Sequence, residues 1–228
     1  AVLQEVMTPS PWRVQPQCPV YGICGGCQLS HLSYEGQLAM KQQRVTDAVV
    51  RIGGGSADCI RPIQGAAHPW HYRNKMMVPL GGEKGHLQAG FYAAGSHRIV
   101  PTESCLLQKE ENNRLMQSII AWADRTGAVP YEEAGKTGSL RHIMGRTGEG
   151  DRVMAVLVTA DRKTGSRTDW VESVRQDLPE LASAWHNIQN RHTYLVLGPV
   201  SHHLRRTETM DEELSGLHFL LSPYSFFT

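Results

Sequence analysis

The sequence is short of several things, and each shortage closes a class of proteins. It has no apolar run near the ~20 residues a membrane-spanning helix needs, and its mean hydropathy is −0.35, so no membrane span is expected. It has almost no net charge: 23 Lys and Arg oppose 22 Asp and Glu. No global basic excess therefore points to nucleic acid, and such a partner has to be read from local patches. Five cysteines are too few, and odd in number, for a disulfide scaffold in 228 residues. The first residues, Ala1-Val2-Leu3-Gln4-Glu5, lack the basic and apolar regions of a signal peptide. A cytoplasmic chain is expected, where disulfides are disfavoured. No initiator Met opens it, so a processed or cut chain, a fragment, is also expected. There is no internal repeat or low-complexity tract. What remains is an ordinary globular composition, 40% hydrophobic and 20% charged, with length for one large domain or two small ones.

Hydrophobic periodicity predicts the elements. Residues 33–52 read as a helix, with Leu38, Val45, Val49 and Ile52 on one face, Ser33 as N-cap and Gly53-Gly54-Gly55 as its end. Short β-like runs follow at 75–80, 88–92 and 98–100, with Gly81-Gly82 and Gly95 expected in the turns. A second helix is predicted over 109–126, with Leu115, Ile119 and Trp122 inward and Gly127 stopping it. Residues 140–146 and 152–159 read as a hairpin, and the uninterrupted apolar run 153–158 as a strand buried on both faces. Trp170, Val171, Val174 and Leu178 mark a third helix; 194–197 and 217–221 read as further strands. Strands in runs with helices inserted between them give the fold class α+β, a mostly antiparallel sheet with an N-terminal cysteine knot around a metal cluster.

That knot is the most informative stretch: Cys18-Pro19-Val20-Tyr21-Gly22-Ile23-Cys24-Gly25-Gly26-Cys27. Three thiols within ten residues can converge on one metal centre, because Gly25 and Gly26 let the backbone turn tightly and offer N–H groups to sulfur. A fourth ligand must come from afar. Cys105, between a predicted strand and a predicted helix, is favoured over Cys59, which reads as a small buried hydrophobe. A structural zinc site is acceptable chemistry for four thiols, although zinc ribbons usually pair two Cys-x-x-Cys knuckles and only one is present. The spacing suits a [4Fe–4S] cluster better, and zinc stays open on spacing alone.

The same residues carry a resemblance. The segment 18–27, continued by Gln28-Leu29-Ser30-His31-Leu32-Ser33-Tyr34-Glu35, resembles the RNA uracil-C5 methyltransferases, specifically their iron–sulfur, 23S rRNA-methylating branch. Further similar segments follow in order: Tyr72-Arg73-Asn74-Lys75, Gly90-Phe91-Tyr92-Ala93-Ala94-Gly95-Ser96-His97-Arg98-Ile99-Val100, Leu140-Arg141-His142-Ile143, Leu195-Val196-Leu197-Gly198 and Ser222-Pro223-Tyr224-Ser225-Phe226-Phe227. The resemblance implies a 4Fe-4S cluster held by Cys18, Cys24, Cys27 and Cys105. It implies residues 1–17 as the tail of an RNA-binding barrel and 18–32 with 60–224 as a central iron–sulfur and RNA-binding domain. Residues 33–59 would pack on the methyltransferase domain, which begins at 225–228. It further implies a cysteine thiolate that attacks C6 of uracil and a carboxylate that removes the C5 proton, with S-adenosylmethionine as methyl donor in the full-length protein only. No catalytic residue is expected in this chain, because none of its cysteines lies in the matching late motif. Thr228 stands where the family commonly has a cofactor-contacting Gln. The fragment is therefore expected to be inactive alone.

The expected RNA contacts are Arg73, Lys75, His97, Arg98, Arg141 and His142, cations set beside aromatic and hydrogen-bonding groups that suit phosphates and unstacked bases. The expected partner is RNA, specifically 23S rRNA; neither a membrane nor a second copy is expected. The competing reading is a non-catalytic, zinc- or cluster-stabilised RNA-binding module. Electron transfer is disfavoured, since four protein ligands leave iron no open site.

Overall fold

A computed structural model describes residues 4–165 and 168–226, in two compact units that divide between Pro69 and Trp70. In the first unit the proline-rich opening folds back on the start of a helix. The Val14 N–H donates to the His31 carbonyl (2.9 Å) and the Ser33 N–H to the Trp12 carbonyl (2.8 Å). Helix α1 spans Tyr34–Thr46, and the Ser33 hydroxyl accepts from the Gly36 N–H at 3.2 Å, the predicted cap. Gly36 is required there, since a Cβ would stand 2.6 Å from the Trp12 side chain. The helix continues as a π-helical turn, Asp47–Ile52, closed by the Gly53 N–H on the Ala48 carbonyl. The predicted apolar face is not a core within this unit: Leu38 and Val49 are half-buried, and Val45 and Ile52 are exposed. Cys59 departs from its expected burial. It is exposed, and its thiol donates to the Ser56 carbonyl at 2.9 Å. Ser33→Ala is expected to cost about 1 kcal/mol, the usual worth of an N-cap, read as a lower denaturation midpoint for the helical signal of this unit.

The second unit is built on strands β1 (Lys75–Glu83), β2 (His86–Tyr92), β3 (Ile99–Pro101), β4 (Leu140–Thr147), β5 (Val153–Thr159), β6 (Leu181–Ile188) and β7 (Val200–Arg206). They form one sheet in the order β3-β2-β1-β4-β5-β6-β7. All pairings but one are antiparallel; β5 and β6 run parallel, joined by helices α3 (Arg162–Gly165) and α4 (Asp169–Asp177). The architecture is thus mixed, with a large central sheet. Helix α2 (Glu110–Thr126) ends on Gly127 in the left-handed region, as its sequence predicts. It packs Leu115, Ile119 and Trp122 against one sheet face beside Trp170 and Val174 of α4. The opposite face holds Met144, Met154, Val156 and Val158, covered by the hairpin β8 (Met210–Leu214) and β9 (Leu217–Leu221) through Met210 and Leu221. Strand β5, buried along its whole length between these layers, confirms what its apolar run predicts.

Two turn and strand expectations fail. Gly81 and Gly82 lie inside β1, and the turn falls at Lys84-Gly85, where Gly85 takes the positive φ. Residues 194–197 form no strand, because Asn187 engages both the N–H and the carbonyl of Gly198 and holds the segment off the sheet; Tyr194 is 99% exposed. Strands β6, β7 and β8 went unpredicted, since Ala, Ser, Asn, His and acidic residues hide their alternation.

Candidate functional site

The cysteine segment turns tightly. The Tyr21 N–H donates to the Cys18 carbonyl (3.2 Å) and the Cys24 N–H to the Val20 carbonyl (2.9 Å). The Gly26 N–H points at the Cys24 Sγ at 3.4 Å, an amide–sulfur contact of the kind that stabilises metal-bound thiolates. Cys18, Cys24 and Cys27 are free and half-buried, and Tyr21 is fixed beside them by a 2.6 Å hydrogen bond to His31 Nδ1. Among the described residues no three His, Cys, Asp or Glu side chains converge closely enough to hold a metal ion, so the predicted knot is not assembled around a centre. The three side chains are soft sulfur donors with an amide N–H at hand, which fits an iron–sulfur cluster chemically.

Cys105 lies in the second unit, where the chain runs from β3 into α2. The Asn113 side chain clamps it, its Oδ1 accepting from the Cys105 N–H (3.0 Å) and its Nδ2 donating to the Cys105 carbonyl (3.3 Å). The neighbouring backbone is tied to the Tyr72-Arg73 segment: the His71 N–H donates to Leu106 and the Arg73 N–H to Leu107. Sequence reasoning missed Asn113, whose role appears only once a helix side chain meets a loop.

The six expected RNA contacts all fall in this second unit, and they differ in availability. Arg73 and Arg98 are exposed. Lys75 is half-buried on β1, and burial, aided by neighbouring Arg146, holds its pKa below the usual lysine value. His97 packs edge-on to Tyr92, ring centroids 5.4 Å apart. Arg141 sits at a register shift between β4 and β5, where Leu140 faces Thr159 and His142 faces Val158, so it is the extra residue of a bulge. Bulges re-aim side chains. Here the guanidinium lies 4.4 Å above the Tyr131 ring and pairs with Glu133, with only 9% of the side chain exposed. Glu133 also meets His192 at 3.4 Å. Burial, reinforced by Arg141, depresses His142 to about 4, so its imidazole is neutral at pH 7. Burial pushes Tyr92 up, Arg141 and Glu133 acting on it in opposite senses.

The final segment is fixed from below. Fully buried Arg146 donates to the Ser225 carbonyl at 2.7 Å, and the Tyr224 hydroxyl meets Ser201 Oγ at 2.7 Å. Phe226 beyond it is exposed; Phe227 and Thr228 lie outside the described residues.

No family model matches the chain. Curated relatives do. A Bacillus cereus protein named "Uncharacterized RNA methyltransferase" is 38% identical over 226 residues, 99% of this chain and 49% of the relative. A protein of the same name from Clostridium tetani is 37% identical over the same shares. One from Halalkalibacterium halodurans is 36% identical over 219 residues, 96% of this chain and 48% of the relative. The chain thus spans about half the length of the curated relatives it matches. Among solved structures, the Pyrococcus abyssi tRNA (uracil-54, C5)-methyltransferase in complex with S-adenosyl-L-homocysteine superposes with a TM-score of 0.73 at 20% identity. That match covers 98% of this chain and 49% of the other, and at this identity it establishes the fold alone.

Proposed function

We infer that this chain, a homologue of proteins named RNA methyltransferase, is part of an S-adenosylmethionine-dependent enzyme that methylates C5 of uridine in RNA, with 23S rRNA as substrate. The observation that carries the reading is the 38% identity sustained over 99% of the chain. The ordered motifs and the thiol-rich turn supply the finer assignment. In this reading Cys18, Cys24, Cys27 and Cys105 hold a 4Fe-4S cluster, a reading supported by the tight turn over Cys18–Cys27 and by the hold of Asn113 on the Cys105 backbone. S-adenosylmethionine supplies the methyl group; the attacking thiol and the proton-removing carboxylate belong to none of the residues present. This chain contributes the RNA-facing surface. Exposed Arg73 and Arg98 meet phosphates, and the aromatic surroundings of Tyr92 receive bases lifted from their stack.

The test is transfer of labelled methyl groups from S-adenosylmethionine to unmodified 23S rRNA by the full gene product. 5-Methyluridine should appear in the nuclease digest, and the 228-residue chain alone should yield none. A digest with no methylated uridine from the full gene product, under conditions where it binds the rRNA, would overturn the reading.

A further inference from the structure

Arg141 and Glu133 exchange the roles that their charges suggest. The cation of the pair is spent internally, lying over Tyr131 and bonded to the carboxylate, with 9% of its side chain exposed. The anion is the accessible partner: 51% of the Glu133 side chain faces solvent. Among the described residues its second oxygen meets His192 alone, at 3.4 Å, and that imidazole has 94% of its side chain exposed and can swing away. A carboxylate on this surface repels phosphate, so what it can attract from RNA is a base edge rich in N–H donors.

We propose that Glu133 reads an unstacked guanine whose ring rests on Tyr92. The inference builds on the RNA-binding reading above and adds a base preference to it. An ionised carboxylate is acceptor-only, with about four lone-pair sites on two oxygens, and Arg141 uses one side of one oxygen. Guanine alone among the four bases presents two adjacent donors, N1–H and N2–H, on its Watson–Crick edge, matching both carboxylate oxygens. Uracil offers one donor between two carbonyls, while adenine and cytosine each set an amino group beside an acceptor that would face the carboxylate. Tyr92 closes β2 near enough to Glu133 and Arg141 for both charges to act on its hydroxyl, and it is about one-third exposed and braced edge-on by His97. The β4 bulge makes the arrangement rigid, because it turns Arg141 toward Tyr131 and so fixes the carboxylate before RNA arrives. Arg141 is a positioning residue here, acting through Glu133.

The experiment measures binding of uridine-rich RNA decamers to the full gene product by fluorescence anisotropy. Each decamer carries one central guanosine, or inosine, which lacks only the N2 amino group. Wild type should favour guanosine over inosine about tenfold, because inosine keeps N1–H but cannot complete the two-bond contact. Glu133→Gln, whose amide accepts through one atom only, should weaken guanosine binding to the inosine level while its circular dichroism stays that of the folded protein, the lost Arg141 pairing lowering only its thermal midpoint. Equal binding of both decamers by wild type, or a preference that survives in Glu133→Gln, would overturn the inference and leave the RNA reading standing. Binding of neither decamer, nor of unmodified 23S rRNA, would overturn both.

Discussion

Lowering the pH from 7 toward 4 is expected to destabilise the second unit steeply, and His186→Gln is expected to remove about 3 kcal/mol of that loss. His186 sits fully buried on β6, with its Nε2 2.7 Å from the Thr159 hydroxyl. That hydroxyl donates its one proton to the Asp161 carbonyl, so it accepts from the Nε2–H, and Nδ1 is left as a buried lone pair with no hydrogen-bond partner among the described residues. Protonating Nδ1 would put an unsolvated charge in the core, near His202 and Arg162. Burial first, then His202, therefore holds its pKa at about 4 against an ordinary 6.5. The folded state thus binds the proton less tightly than the unfolded chain. Stability is fully present above pH 6.5, falls through the window from 6.5 to 4, and has lost its whole contribution below 4. A shift from 6.5 to about 4 corresponds to roughly 3 kcal/mol. His142, also depressed to about 4 chiefly by burial, acts in the same window and sense. The carboxylates held low, Glu133, Asp161 and Glu180, act at more acidic pH, so denaturation midpoints between pH 7 and 5 report the histidines. Parallel pH profiles for wild type and His186→Gln would refute the assignment.

What the sequence made legible was whatever repeats within a short window. Helix α2 shows because Leu115, Ile119 and Trp122 recur at helical spacing and Gly127 supplies the left-handed stop. Strand β5 shows because nothing polar interrupts it. Strand β6 stays hidden because its burial comes from neighbours on both sides: Ala184 and Ser183 are buried yet carry no β signature of their own. The thiol-rich turn is equally plain, since three cysteines in ten residues need no tertiary context. Glu133, Tyr131 and Asn113 carried no such signal. Glu133 and Tyr131 gain meaning from one extra residue in β4, a mismatch that exists only once that strand is paired with β5. Arg141 illustrates the same limit: beside His142 it reads as a free cation, and the bulge ties it down.

If the proposed cluster is present, Cys27→Ser is expected to remove it from the full gene product, dropping iron and acid-labile sulfide from about four each per chain to near zero. A serine oxygen is a poor replacement for a soft thiolate, and with two local ligands left the turn cannot anchor iron. Cys105→Ser should cost both cluster content and solubility, because this proposed fourth ligand sits in a backbone that the Asn113 side chain clamps from both sides. Asn113→Leu tests that clamp without touching sulfur and should lower cluster retention while leaving the thiol count at five. Cys59→Ser is the internal standard: its exposed thiol donates to the Ser56 carbonyl within its own turn, so iron should stay at the wild-type level. The measurement is iron, sulfide and zinc on anaerobically purified protein, with the broad absorbance of a cluster near ~400 nm alongside. One zinc and no sulfide in wild type would replace the cluster by a structural zinc site and shift the chain toward an RNA-binding scaffold. A fully loaded Cys105→Ser would instead show that the fourth ligand lies elsewhere. The choice matters because a cluster held by all four of these thiols would have no open coordination site, and its part would then be to fix the turn rather than to react.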